Sequence, residues 1–469
     1  MQSQAQHGNR TKQLAAACAA LLAGAILAPA QPQPAALTMA QALESALRNY
    51  PSVRVSQEQV NAAAAGIQLA RTAYLPRLDT LAQVNRTTRN NLFGLLLPQN
   101  VIPSISGPVL GTNNFGTAFG SAAGGLLTWE PFDFGLRNAN VATATAAGAQ
   151  SEATLKRTQF DVAVATLDAY LTLAAAQETV RSAQAGVDRA AVVARTTGAL
   201  VNAELRPGAD GSRAQAELAA ARTGLIQAQQ SVEIARANVA QFVNLEPSQI
   251  NISAPALQQL PPEQPLSPLD PSANPLALEQ SAVVEQAQAQ LRALERSYFP
   301  RFYLQGSAYA RGTGAEIDGK ILGGVNGLGP TVQDYAVGFS VTFPVFDLAA
   351  IRARETAQSA TIRAQTARSQ QIATDLRAQF NRAVAALEGA RRVAANTPVQ
   401  VSAARDAAQQ AAARYQSGLG NIDEVAEAQR LLTQAEIDDA LARLSVWRGL
   451  LEIAAAAGDV QPFVAEAGR

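Results

Sequence analysis

The feature that most constrains this chain is an internal repeat. Tyr74, Pro76 and Arg77 recur as Tyr298, Pro300 and Arg301, and Pro51 recurs as Pro275, all 224 positions on. Phe132-Asp133 recurs as Phe346-Asp347, and Ala214-Gln215 as Ala428-Gln429, now 214 positions on. Ordered matches whose spacing is constant, shifts once and is constant again identify two homologous halves that differ in one loop. The fold must therefore build one supersecondary unit twice.

Each half reads as helix, hairpin, long helix, turn and return helix. In the first repeat (31–243) the hairpin covers 77–132, the long helix 136–202 and the return helix 211–243. In the second (274–457) the corresponding ranges are 301–346, 349–416 and 422–457. Residues 244–273 form a proline-rich linker at the equator of the molecule, and 458–469 a C-terminal tail. Thr38 with Gln41 makes a capping box for the first helix. Pro51 kinks or restarts that helix, and Pro76 and Pro300 stop the ones before them.

Tyr335, Val337, Phe339, Val341 and Phe343 alternate with small or polar residues, which is strand periodicity. Arg301–Arg311 alternates more weakly, and Leu78–Arg86 and Ala123–Trp129 are the first-half strands. Asp133 and Asp347 follow aromatic strand ends and are expected N-caps. Leu136–Asn202 contains no proline, enough for about 100 Å of helix at ~1.5 Å per residue. Residues 349–416 read as an equally uninterrupted helix. Phe160, Leu167 and Leu171 mark the apolar face of one, and Leu376, Phe380, Val384 and Leu387 that of the other. Alanine fills much of the rest, so these helices are coiled-coil-like with close approach.

The only His (His7) and the only Cys (Cys18) fall within a segment that reads as an export signal, 1–30. Arg10 and Lys12 lead it, Leu14–Leu27 is apolar, and Ala28-Pro29-Ala30 offers a cleavage site. The apolar run continues past Cys18, which argues against a lipoprotein signal. A mature chain without His or Cys has no His-based triad, thiol nucleophile or Cys/His metal site. No phosphate-binding glycine loop precedes a helix: Gly124-Gly125 leads into a strand. We expect no enzyme and no cofactor. Lys plus Arg equals Asp plus Glu at 37 each, which excludes the basic footprint of a nucleic-acid binder. No later apolar run reaches 18 residues, so a membrane could be crossed only by strands.

The strands admit two readings. They could form a small soluble sheet on the helices. Alternatively, strands of about 10 residues tilted by about 40° span roughly 25 Å, the height of an outer-membrane apolar band.

Leu37-Thr38-Met39-Ala40-Gln41-Ala42-Leu43, Asn49-Tyr50-Pro51, both Phe-Asp turns, and Arg414-Tyr415-Gln416-Ser417-Gly418 followed by Val425-Ala426-Glu427-Ala428-Gln429 carry a resemblance. The chain resembles the TolC family of bacterial outer-membrane efflux proteins over essentially its whole mature length. The resemblance implies a mainly α fold with β: long coiled-coil helices, and two hairpins giving four strands of a twelve-stranded barrel shared by a homotrimer in outer-membrane lipid. It further implies a tunnel through the periplasm and docking to a periplasmic adaptor and an inner-membrane pump. The expected function is a passive exit duct for small toxic compounds or drugs. The alternatives are the duct of a type I protein secretion system and a non-channel periplasmic coiled coil.

By position in the family pattern, Glu424 and Glu427 match acidic residues that ring the periplasmic constriction. Asp210 is the first-half equivalent of Glu424, and Tyr415 matches a tyrosine that links to that acid. Gly420 stands where the family often has an arginine, so the resemblance leaves Arg206, its first-half equivalent, to rebuild the closing contact. Such a ring attracts cations. The plainer alternative is solvated carboxylates at a helix start, where they complement the helix dipole.

Overall fold

The computed structural model describes residues 36–88, 116–263, 265, 267–314, 316 and 320–468. The export signal read over 1–30 lies outside them. Six elements make the first half: α1 (Met39–Asn49), α2 (Pro51–Thr72), β1 (Arg77–Thr88), β2 (Thr117–Phe132), α3 (Leu136–Asn202) and α4 (Gly208–Val243). The second half has α5 (Pro275–Arg296), β3 (Arg301–Thr313), β4 (Val332–Thr342), α6 (Leu348–Gln416), α7 (Ile422–Ala457) and α8 (Gln461–Ala467).

Local chemistry sets the breaks. Gln41 N–H donates to Thr38 Oγ1 at 3.2 Å, and Thr38 N–H donates to Gln41 Oε1 at 3.0 Å, closing the capping box. Pro51 opens α2 at its first position, where no N–H is needed. The two Asp turns differ from expectation. Asp347 occupies the N-cap of α6 but makes no side-chain cap bond. Asp133 caps α3 from two residues upstream of the N-cap, Gly135, whose φ of 88° turns the chain. Its Oδ1 accepts from Gly135 N–H at 3.1 Å and its Oδ2 from Arg137 N–H at 2.6 Å.

Three boundaries move. α4 begins at Gly208 rather than 211, because Pro207 already supplies an extended N-cap. The second hairpin leaves the sheet at Thr342, not 346. α6 begins at Leu348 and, unlike α3, contains a proline, Pro398. That residue has no N–H for the Ala394 carbonyl one turn back, yet the helix runs on, with Ala394 and Thr397 buried before it and Ala404 and Ala408 after it. The 458–469 tail contains α8, which buries Phe463, Val464 and Ala467.

The four strands form one antiparallel sheet in the order β1-β2-β3-β4. Register places Tyr335, Val337, Phe339 and Val341 opposite Ala308, Gly306, Leu304 and Phe302. This face of β4 is open: Tyr335 is 86% and Val337 78% exposed. The other face carries Ala336, Gly338 and Ser340, with Gln305 and Ser307 across the strand pair. Among the described residues, β1 and β4 each pair on one edge only. Among the described residues, no helix is long and apolar enough to cross a membrane.

Below the sheet, α3 packs on α2 and α5 and then on α4 and α7, while α6 runs against α5 and then α7. Small residues permit the approach. A Cβ on Gly186 would lie 2.8 Å from Thr433 Oγ1, and one on Gly449 would lie 3.1 Å from the Leu387 backbone. The main core sits at the equator, where Leu167, Tyr170, Leu173, Val239, Ile250, Leu257, Trp447 and Leu451 meet α8. Tyr170 Oη donates to the carbonyls of Leu37 (3.0 Å) and Ser253 (3.2 Å), and burial pushes its pKa up to about 12. Trp447 Nε1–H donates to Gln259 O at 3.0 Å. These bonds tie the linker to the helices, and a bridge pairs Leu37 with Ile252.

Candidate functional site: the tip of the helical hairpins

Two turns lie at the far end of the long helices, residues 203–207 between α3 and α4 and residues 417–421 between α6 and α7. Gly418 takes a φ of 82° to close the second turn. At 67 residues and ~1.5 Å each, α3 places its turn about 100 Å from the sheet.

Tyr415, in the last turn of α6, is 3% exposed and packs with Ala194, Ala214, Leu218, Ile422 and Val425. Its Oη donates to Asp210 Oδ2 at 3.0 Å. Arg206 donates from Nη2 to the Tyr415 carbonyl, and its guanidinium lies 4.4 Å from the ring centroid. Burial first, and then the Asp210 carboxylate, raise the Tyr415 phenol above its ordinary pKa. Arg206, Asp210 and Tyr415 are thus brought together. Gly420 leaves little room for a side chain, since a Cβ there would sit 3.2 Å from Arg414 Cβ and 3.3 Å from Glu424 Oε2.

Glu424 and Glu427 lie on the exposed face of α7, apart from that contact. Both have arginine partners. Glu424 Oε2 is 3.9 Å from Arg414 Nε, and Glu427 Oε2 is 2.5 Å from Arg430 Nη2. Residues not singled out from the sequence complete the network. Arg213 reaches Asp423 (3.1 Å) and Glu217 (3.1 Å), and Arg430 Nε lies 3.8 Å from Glu217. Asn421 Oδ1 accepts the Glu424 N–H at 2.9 Å and caps α7. The Asn-x-x-Glu spacing signals that cap in the sequence; nothing local signals ion pairs between residues in different halves. Among the described residues no cluster of His, Cys, Asp or Glu could hold a metal ion.

A family model described as outer membrane efflux protein matches residues 42–245 and 272–459. The chain belongs to the outer membrane efflux protein family. The two matched stretches follow the two repeats. Among solved structures, the outer-membrane channel OprN is 22% identical, with 90% of this chain and 89% of that chain covered and a TM-score of 0.69. The Neisseria gonorrhoeae MtrE channel, in an open state, is 20% identical over 90% and 89% at 0.70. The Campylobacter jejuni CmeC channel is 15% identical over 94% of each chain at 0.71. At these identities the likeness is one of fold. A comparison with curated proteins finds no match. As an outer membrane efflux protein, the chain lies in the outer membrane and extends into the periplasm. Its sheet is the membrane end, so Tyr415 and its partners stand at the periplasmic end.

Proposed function

We propose that this outer membrane efflux protein is a homotrimeric channel-tunnel, the passive exit duct of a tripartite system exporting small toxic compounds or drugs. The carrying observation is the four-stranded sheet with two unpaired edges and one exposed apolar face. Four strands cannot close a barrel, and open edges in lipid leave backbone groups unsatisfied. Three copies would supply twelve strands. The duct catalyses nothing; an inner-membrane pump supplies the energy and a periplasmic adaptor docks at the helical hairpins. A groove of about 350 Å³ between α3, α4 and α7, lined by Ala183, Gly186, Ala220, Gly224 and Val425, supports docking of an apolar helix.

In this reading the Asp210–Tyr415–Arg206 contacts hold the tip closed, and Glu424 and Glu427 set a cation preference at the constriction. Extraction tests the channel. A heat-modifiable trimer recovered from outer membranes with detergent is expected, and release by osmotic shock rejects it. Deleting the gene should sensitise cells to toxic compounds. Loss of a secreted polypeptide with unchanged sensitivity would instead assign the duct to type I protein secretion.

A further inference from the structure

Just inside the tip, α3, α6 and α7 border a cavity of about 390 Å³. Val192, Val193, Ala412 and Val425 give it apolar walls. Three polar atoms on its lining residues are buried without a hydrogen-bond partner: Arg189 Nε, Thr197 Oγ1 and Gln429 Oε1. Thr197 is fully buried, at 0% exposure. Buried polar atoms nearly always have partners, and leaving one without costs about 1–3 kcal/mol. Three such atoms around one cavity mark a site built for something that bonds to them.

Their chemistry narrows what that is. The Arg189 charge is already matched, because Nη2 donates to Glu436 Oε2 at 2.8 Å and to Thr433 Oγ1 at 2.9 Å. An inorganic anion therefore finds no free positive charge there, and it also meets the Asp188 carboxylate, an exposed lining residue that already accepts from Gln184 Nε2 at 2.9 Å. What remains is a donor at Arg189 Nε–H, an acceptor at Gln429 Oε1 and a hydroxyl that serves as either. A carboxamide or hydroxyl group satisfies both needs at once, and the valines favour an apolar body. The volume lies at the lower end of small-molecule sites, roughly 300–1,000 Å³.

We propose that this cavity binds a neutral small amphiphile with an amide or hydroxyl head group. Tyr415 lines the same cavity. Thr197 lies beside its phenol, and that hydroxyl lowers the phenol's pKa against the effect of burial. A bound molecule bridges α3 to α6 and α7, so occupancy favours the closed tip. That consequence rests on the channel reading; the binding itself does not.

The test uses the full chain in detergent with radiolabelled benzamide in equilibrium dialysis, and benzene as the apolar control. Saturable binding of one benzamide per chain is expected, with benzene binding at least about tenfold more weakly. Ala412→Phe fills the cavity and should abolish binding. Thr197→Val, of nearly the same shape, should weaken it about tenfold and decides the matter if the larger substitution fails to assemble. No saturable binding, or binding unchanged in the variants, overturns the proposal and leaves a cavity that holds only water. In planar bilayers, benzamide should lower conductance in the parent and not in Ala412→Phe. Binding without that change would overturn the coupling and leave the site standing.

Discussion

Tyr415 and Asp210 are 205 residues apart in sequence, yet the phenol of one donates to the carboxylate of the other at 3.0 Å. The bond joins the end of the second half's long helix to the start of the first half's return helix. Removing it with Tyr415→Phe should cost about 1–2 kcal/mol, a shift toward the open tip of roughly five- to thirtyfold. Single-channel recording should show higher conductance; unchanged gating would remove Tyr415 from the closing contacts.

The same phenol gives a pH signature. Its pKa is raised above the ordinary 10.0, so the folded state holds the proton more tightly than the unfolded chain. The stabilisation is complete below pH 10 and is lost as pH rises through the raised value. Thermal midpoints measured from pH 8 to 11 should fall at the alkaline end, and Tyr415→Phe should remove that component.

Arg206 acts through a flat contact with the Tyr415 ring as well as a hydrogen bond. Arg206→Lys keeps the charge but loses the planar fork, and should recover less than half of the effect of Arg206→Ala. The double variant Arg206→Ala/Tyr415→Phe should cost less than the two singles together, since both act on one contact set.

The acidic residues at the tip are paired within their own chain. Glu424→Gln with Glu427→Gln should lower the cation-to-anion permeability ratio by roughly twofold, and Arg430→Ala, which frees Glu427, should raise it. Reversal potentials in asymmetric salt measure both. A ratio that ignores all three substitutions would place these side chains off the conduction path.

At the other end of α3, Asp133 and Arg137 form an ion pair whose side chains are 7% and 9% exposed. Burial alone would raise the Asp133 pKa, but bonds from the Arg137 backbone and guanidinium and from Gly135 N–H bring it below 3.8. Its contribution is present above pH 3.8 and lost as pH falls through the depressed value. Asp133→Ala strands a buried guanidinium and should cost about 3–5 kcal/mol. Asp347→Ala, at the matching position without a cap bond, should cost less than about 0.5 kcal/mol. Helical circular dichroism on heating separates the two.

Much of this architecture could be read in advance because its signals are local or strictly periodic. Thr38 and Gln41, Pro51, Pro76 and Pro300 act within a turn of where they stand. Tyr335 to Phe343 alternates because one face of β4 is apolar and the other small. Asp347 shows the limit of local rules: it has the residue type and position of a cap but not the conformation. Pro398 was submerged in a strong helical pattern, and packing on both sides overrides its preference. α8 is too short for its period to show. At the tip, Tyr415, Asp210 and Arg206 came from family resemblance rather than from spacing. The pairs Arg213–Asp423 and Arg430–Glu217 are not legible, because they are set by how the two halves meet; Arg213–Glu217 and Arg430–Glu427 stand at helical spacing.

The margins of the sheet, Arg77–Thr88 and Val332–Thr342, each present a row of amides that no strand among the described residues pairs. A lone copy in lipid would therefore be a high-energy species. In the proposed trimer insertion is a collective event, its yield set by how many copies arrive together, so dilution during biogenesis should deplete the inserted form far more steeply than in proportion.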